Sequence, residues 1–202
     1  MLRDHSLVLV DEVMPKPVAG RLGSLYNVLA VIAGTVFIAL MAQVRIPLPF
    51  TPVPITGQTL AVVLAGACLG SKRGGASSLL YLLGGGLGLP VFTGFGAGIM
   101  HLTGPTGGYL FGFLPAAWLV GSLSERGWDR NLRTNLMAMF LGSLVIYAFG
   151  FVWLGVFVGF DKALVLGVLP FIPGDILKML LAAALLPLVW RCLPGVRGTD
   201  DT

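Results

Sequence analysis

The chain has 202 residues, of which 11% are charged and 56% hydrophobic, and its mean hydropathy is +0.91. Soluble domains carry roughly a quarter of their residues as charges, so this chain cannot clothe a water-facing surface, and it has too much apolar material to stay unfolded; the solvent it fits is lipid. The net charge of +4 and pI near 9.4 come from scattered basic residues, with no Lys/Arg run and no basic patch interleaved with aromatics, so a nucleic-acid partner is not expected.

Asp4, Asp11 and Glu12 precede the first apolar stretch, and no short apolar core with a small-residue cleavage site follows a basic start. Residues 1–21 are therefore read as a retained cytoplasmic tail. Charge-free windows, subdivided by proline and glycine, predict helices over 22–43, 57–70, 74–89, 104–123, 134–159 and 173–191. The fold class is an all-α integral membrane protein: a single domain of six transmembrane helices over 22–191, followed by a cytoplasmic tail over 192–202. With both termini cytoplasmic, the inner side holds ten of the 13 Lys and Arg: Arg3, Lys16, Arg21, Lys72, Arg73, Arg126, Arg130, Arg133, Arg191 and Arg197. The outer side then has only Arg45 and Lys162, with Lys178 inside a span, which is the bias the positive-inside rule requires. Tyr26, Trp128 and Trp190 fall near the inner boundary and read as interfacial anchors.

A helix over 57–70 would rise about 21 Å against a hydrocarbon core of about 30 Å. The preceding segment, Ile46-Pro-Leu-Pro-Phe-Thr-Pro-Val-Pro-Ile55, is apolar yet cannot be helical with four prolines, so it is expected to fold back into the protein from the outer side. A second outer connection, Leu89 to His101, is also apolar and rich in glycine. Irregular backbone at membrane depth persists only against protein or a cavity, and two such loops on one side suit a lidded pocket, or simply loops packed on each other. Of 29 glycines, about twice the usual ~7%, many recur at helical spacing: Gly66, Gly70 and Gly74; Gly84 and Gly88; Gly104, Gly108, Gly112 and then Ala116; Gly155 and Gly159. Close helix packing accounts for most of these.

Asp175 and Lys178 are the formal charges placed inside a predicted span, at i and i+3 on one helical face. They form either an internal ion pair with Lys178 snorkelling outward or a polar anchor, Lys178 donating to a carbonyl or carboxylate and Asp175 accepting N–H groups. Gly104-Pro-Thr-Gly-Gly-Tyr109 opens the fourth helix with Pro105 in its first turn and backbone N–H groups free; it lacks the Gly-Lys-Ser/Thr of a nucleotide loop. Tyr109 offers a ring and a hydroxyl, or is a core tyrosine. Gln58 either caps its helix or faces a ligand. His101 has no second ligand at metal spacing and reads as a solvated interfacial residue. Cys68 and Cys192 indicate neither a disulfide nor a metal site. No paired-carboxylate or nucleophile–base set can be assembled, so an enzyme is not expected.

Ile46-Pro-Leu-Pro-Phe-Thr-Pro-Val-Pro-Ile-Thr56, Gly88-Leu-Pro-Val-Phe92, Gly104-Pro-Thr-Gly-Gly-Tyr109 and Leu169-Pro-Phe-Ile-Pro-Gly-Asp-Ile-Leu-Lys178 occur in an order that resembles the BioY family, the substrate-capture (S) subunits of energy-coupling-factor (ECF) biotin transporters. The resemblance covers about residues 25–190. It implies a six-helix, multi-pass subunit of the bacterial cytoplasmic (inner) membrane that binds biotin in an outward-facing pocket closed in part by the loop between the first two helices. It implies as partners a transmembrane coupling protein and two ABC-type ATPases, with biotin as the transported ligand and no cofactor. Carried over by motif, Asp175 and Lys178 are the principal polar contacts, with Tyr109 and Gln58 near the pocket. Relatives can present a polar side chain after the third helix, where this chain has Gly94-Phe-Gly96, so a contact there, at Gly96, would use backbone. The family's coupling contact resembles an Ala-x-x-x-Ala face on the first helix; the match here is Ala30-x-x-x-Gly34, which lipid-facing packing explains equally well. An S-subunit for another small vitamin and a non-transporting membrane scaffold remain the alternatives, and a channel is disfavoured because no polar ladder crosses the membrane.

Overall fold

The computed structural model describes residues 8–13 and 21–193. Most of the two predicted tails lies outside these residues. The order of elements is helix α1 (Leu9–Val13), α2 (Arg21–Gln43), strands β1 (Arg45–Ile46) and β2 (Ile55–Thr56), α3 (Gln58–Gly86), α4 (Ile99–Thr103), α5 (Gly107–Ser124), α6 (Leu132–Val158), α7 (Phe160–Gly167) and α8 (Ile172–Cys192). Among the described residues, four runs are long and apolar enough to cross a membrane: Leu22–Gln43, Gly107–Ser124, Leu132–Val158 and Phe160–Cys192. Their outer faces carry large aliphatic and aromatic side chains, among them Leu25, Ile32, Leu40, Phe140, Leu144, Leu180 and Leu188, all exposed. A soluble fold would not tolerate so extensive an apolar surface, and the molecule is a multi-pass membrane protein.

The helices predicted over 57–70 and 74–89 follow one another directly in α3, interrupted only at Gly70 (φ 85°, ψ 173°) with no intervening loop. That left-handed geometry is available to glycine at little cost, and it doubles the chain back. Residues eight apart in a straight helix are about 12 Å apart, yet a Cβ placed on Gly74 would lie 2.7 Å from the Cα of Gly66. Gln58 likewise hydrogen-bonds Tyr81, 23 positions away. The limbs 58–69 and 71–86 therefore run side by side. Glu125 of the α5–α6 connection caps the second limb, its Oε1 accepting from the Ser71 N–H and hydroxyl, each at 2.8 Å. A carboxylate is well matched to a helix N-terminus.

Small residues set how closely the helices approach. A Cβ on Gly66 would lie 2.5 Å from the carbonyl oxygen of Ala117 on α5, and one on Gly112 would lie 3.0 Å from the Ile146 Cα on α6. The small-residue stripe of α5 is thus filled by α6, as close packing requires, and is not an open groove. On α2 the residues Ala30, Gly34, Ile38 and Ala42, four apart, are all buried. Ala30 and Gly34 were expected to present a partner-facing or lipid-facing surface. Instead they lie inside the chain, where a Cβ on Gly34 would sit 2.5 Å from Ser77 Oγ on the second limb of α3.

Other expectations change for local reasons. α5 begins at Gly107 with Thr106 as its N-cap, so Pro105 precedes the helix, and Ile99–Thr103 forms a separate turn of helix. α7 and a 3-10 turn over Leu169–Phe171 replace the plain connection to α8. Trp190 is a buried residue rather than an interfacial anchor: its indole N–H donates to Asp129 Oδ2 at 2.7 Å, and the Arg130 guanidinium lies 4.7 Å from its ring centre. The proline-rich segment does fold back, closing a two-stranded antiparallel pair with Arg45 opposite Thr56 and Ile46 opposite Ile55. It is held down by the buried Val53 and by the Thr51 hydroxyl, which donates to Leu166 O at 2.7 Å.

Gly66→Ala should lower stability by about 2 kcal/mol, because the clash is with backbone, whereas Gly75→Ala, whose added Cβ meets its nearest neighbours at 3.8 and 3.9 Å, should be neutral or slightly stabilising. Thermal unfolding of the detergent-solubilised variants checks the contrast.

Candidate functional site

A cavity of about 250 Å³ lies where the β1–β2 hairpin, the start of α3, the 93–101 region and α5, α6 and α8 converge. Its floor is polar. α8 starts with Pro173 in its first turn, where the missing N–H costs nothing, and one turn on places Asp175 and Lys178 on the face toward α3 and α6. Asp175 is only 4% exposed. Lys178 Nζ donates to Asp175 Oδ1 at 2.8 Å, to the Thr56 carbonyl at 2.7 Å and to Thr59 Oγ1 at 3.2 Å, which uses all three ammonium donors. The second oxygen of Asp175 accepts from the Tyr147 hydroxyl of α6. Sequence spacing anticipated the ion pair; the structure shows Lys178 turned inward rather than snorkelling.

Gln58 does not cap its own helix, whose N-cap, Gly57, makes no side-chain bond. Buried at 5% exposure, it accepts at Oε1 from the Thr56 and Thr93 hydroxyls at 3.1 and 3.0 Å and donates from Nε2 to Tyr81. It thereby joins the hairpin to the loop after α3. Tyr109 is buried; its hydroxyl donates to Gly167 O at 2.7 Å, and its ring both lines the cavity and meets Tyr147 edge-on at 6.5 Å. The structure therefore brings Asp175, Lys178, Tyr109 and Gln58 to one cavity.

Gly96 stands apart from this cavity wall. Its carbonyl accepts from Phe92 N at 3.0 Å and its N–H donates to Thr93 O at 3.4 Å, so both backbone groups bond within the turn. Its neighbours Thr93 and His101 line the cavity instead. His101 is half-buried and stacked on Phe92, ring centres 5.0 Å apart, which corrects its reading as a solvated residue. Burial holds its pKa below the ordinary value of 6.5. The loop itself is clamped by Gln43, the last residue of α2, whose amide donates to Val91 O and Phe92 O and accepts from Phe95 N.

Sequence reasoning missed Tyr147, Thr56, Thr59, Thr93 and Arg45 as cavity residues. A tyrosine midway along the 27-residue apolar α6 was a usable signal for Tyr147, since a buried phenol needs a partner. Among the described residues no cluster of His, Cys, Asp or Glu could hold a metal ion.

Fold and cavity together define a helical membrane protein with a ligand-sized, polar-floored site at one end of its bundle. The BioY family profile matches residues 14–195, and the chain belongs to the BioY family. It is 50% identical over 143 residues to the probable biotin transporter BioY of Pyrococcus horikoshii, an alignment covering 70% of this chain and 84% of that one. It is 40% identical over 167 residues to the biotin transporter BioY of Rhizobium etli, covering 78% and 89%. Among solved structures, the S-component for biotin from an ECF-type ABC transporter superimposes with a TM-score of 0.74 at 28% identity, covering 86% of this chain and 95% of that one.

Two predictions arise from the site. Lys178→Met leaves the buried Asp175 without its cation and should cost about 3 kcal/mol of stability, most of it recovered in the Asp175→Asn/Lys178→Met double variant; a double-mutant cycle on detergent unfolding reads this. His101 has a lowered pKa in the folded state, so its contribution is present above pH 6.5 and is lost as pH falls through the folded value. The acid-side fall in melting temperature should be shallower in His101→Gln.

Proposed function

We propose that this chain is the biotin-binding, substrate-capture subunit of a vitamin uptake transporter in a bacterial cytoplasmic membrane, with import energised by ABC-type ATPases acting through a transmembrane coupling protein. The observation that carries the reading is the polar floor of Asp175, Lys178 and Tyr147 beneath apolar and aromatic walls from Val53, Tyr109, Leu110, Phe113 and Phe171. Biotin presents a ureido group, an apolar fused ring and chain, and one carboxylate. Asp175 can accept ureido N–H groups and Lys178 can donate to the ureido oxygen, each exchanging a contact it now makes within the protein. The walls take the thioether ring, and Gln58 and Thr93 border the site. Membership of the family and the names of its relatives, transporters rather than enzymes, agree with this.

Six crossings follow in this reading from α2, the two limbs of α3, α5, α6 and α8, forming one domain over 22–191. Both termini are then cytoplasmic, with Lys72 and Arg73 at the doubled-back end of α3 and the cavity opening outward, consistent with the basic-residue bias.

Equilibrium binding to the purified chain tests the proposal, with thiamine and riboflavin as controls. Biotin alone should bind, and Asp175→Asn and Lys178→Ala should each weaken it by at least tenfold; a folded sample that ignores biotin would overturn the reading.

A further inference from the structure

The charges around the cavity do not cancel. Asp175 is matched by Lys178 at 2.8 Å, and burial disfavours the cationic form of His101, whereas Arg45, at the hairpin end of the cavity, has no acidic partner and no hydrogen bond among the described residues. Arg45 is an exposed residue whose guanidinium packs on the loop after α3. It lies over Gly94, where a Cβ would be 2.7 Å from the Arg45 Cζ. A side chain at position 94 would displace the guanidinium from this place, and Gly94 also adopts a left-handed backbone (φ 68°) that favours glycine. On its other side Arg45 pairs across the hairpin with Thr56, the residue whose carbonyl holds Lys178.

From this geometry we infer that Arg45 is the carboxylate-recognising residue of the site, fixing the direction in which the ligand lies: ureido group on the Asp175–Lys178 floor, carboxylate at Arg45. The inference rests on the biotin reading above. Lys178 is less suited to the carboxylate because its charge is already balanced by Asp175 at 2.8 Å, whereas Arg45 has no acidic partner among the described residues. A guanidinium presents a planar fork of donors with no acceptor, the geometry that takes a carboxylate in two parallel bonds. Gly94 and Gly96 give the loop after α3 no polar side chain of their own at these positions, and the arginine from the hairpin occupies the space above Gly94. Arg45 was counted in the sequence only as an outer-side charge; its seat on Gly94 makes it a specificity residue.

The test compares biotin with biotin amide, which keeps the ureido group, ring and chain but replaces the carboxylate by a neutral carboxamide. Wild type should prefer biotin by about tenfold, the scale of a hydrogen bond to a charged group. Arg45→Gln should lose that preference by weakening biotin alone, with amide binding unchanged as the internal measure of folding, and Arg45→Lys should fall between. Rising salt should weaken biotin but not the amide in wild type, a reading that needs no variant. Equal wild-type affinities for biotin and its amide, or an Arg45→Gln variant that keeps the preference, would overturn the role of Arg45 while leaving the biotin reading intact; a folded wild type that binds neither compound would overturn both.

Discussion

An ammonium group carried into an apolar bundle must find enough partners to replace water, and Lys178 organises the site by doing so. At the centre of a span a charge costs about 2.5–3.5 kcal/mol even on permissive scales, and its three donors here go to Asp175 on its own helix, Thr56 on the hairpin and Thr59 at the start of α3. Asp175 passes the constraint to α6 through Tyr147. Four separate parts of the chain are placed relative to one another by a single buried charge pair, and the cavity is the space left above it.

The scaffold that lets this pair exist is built on contact distance rather than on large side chains. Gly66 against Ala117 and Gly112 against Ile146 bring α3, α5 and α6 to backbone contact, which substitutes for the hydrophobic drive that lipid does not provide between helices. The end of the bundle away from the cavity has its own polar set. Glu125 holds the start of the second limb of α3, and Asp129, whose pKa burial raises, accepts the Trp190 indole. Apolar, glycine-lined helices thus run between two polar clusters, and the cluster at the hairpin end borders the polar-floored cavity.

Much of this could be read from the residues because the strongest signals were chemical ones that lipid makes expensive. Two charges at i and i+3 in an apolar helix, and four prolines in ten apolar residues, have few structural solutions, and the ion pair and the folded-back hairpin both exist. What escaped the reading depends on tertiary neighbours. Nothing local distinguishes Gly70 as a reversal from Gly66 or Gly74 as packing positions, since the difference lies in its backbone angles. Ala30 and Gly34 have the spacing of a docking face, but the second limb of α3 occupies it. Gly96 fits a backbone-contact role by composition, yet its polar groups bond within its own turn. Tyr147, a lone phenol in an apolar helix, carried a signal that a partner exists but not which one, and Arg45 is an ordinary charge at a helix end; the fold shows that both border the same cavity.

The proline-rich hairpin has a thermodynamic consequence as a cover for that cavity. Four of the ten residues from Ile46 to Ile55 have no N–H to desolvate, so the segment can lie against apolar surroundings with fewer donors to satisfy than an ordinary loop of its length. Their fixed φ also removes freedom the free chain would otherwise lose on ordering. A cover of this kind is stiff before anything binds beneath it, and little conformational entropy is lost in ordering it over the cavity.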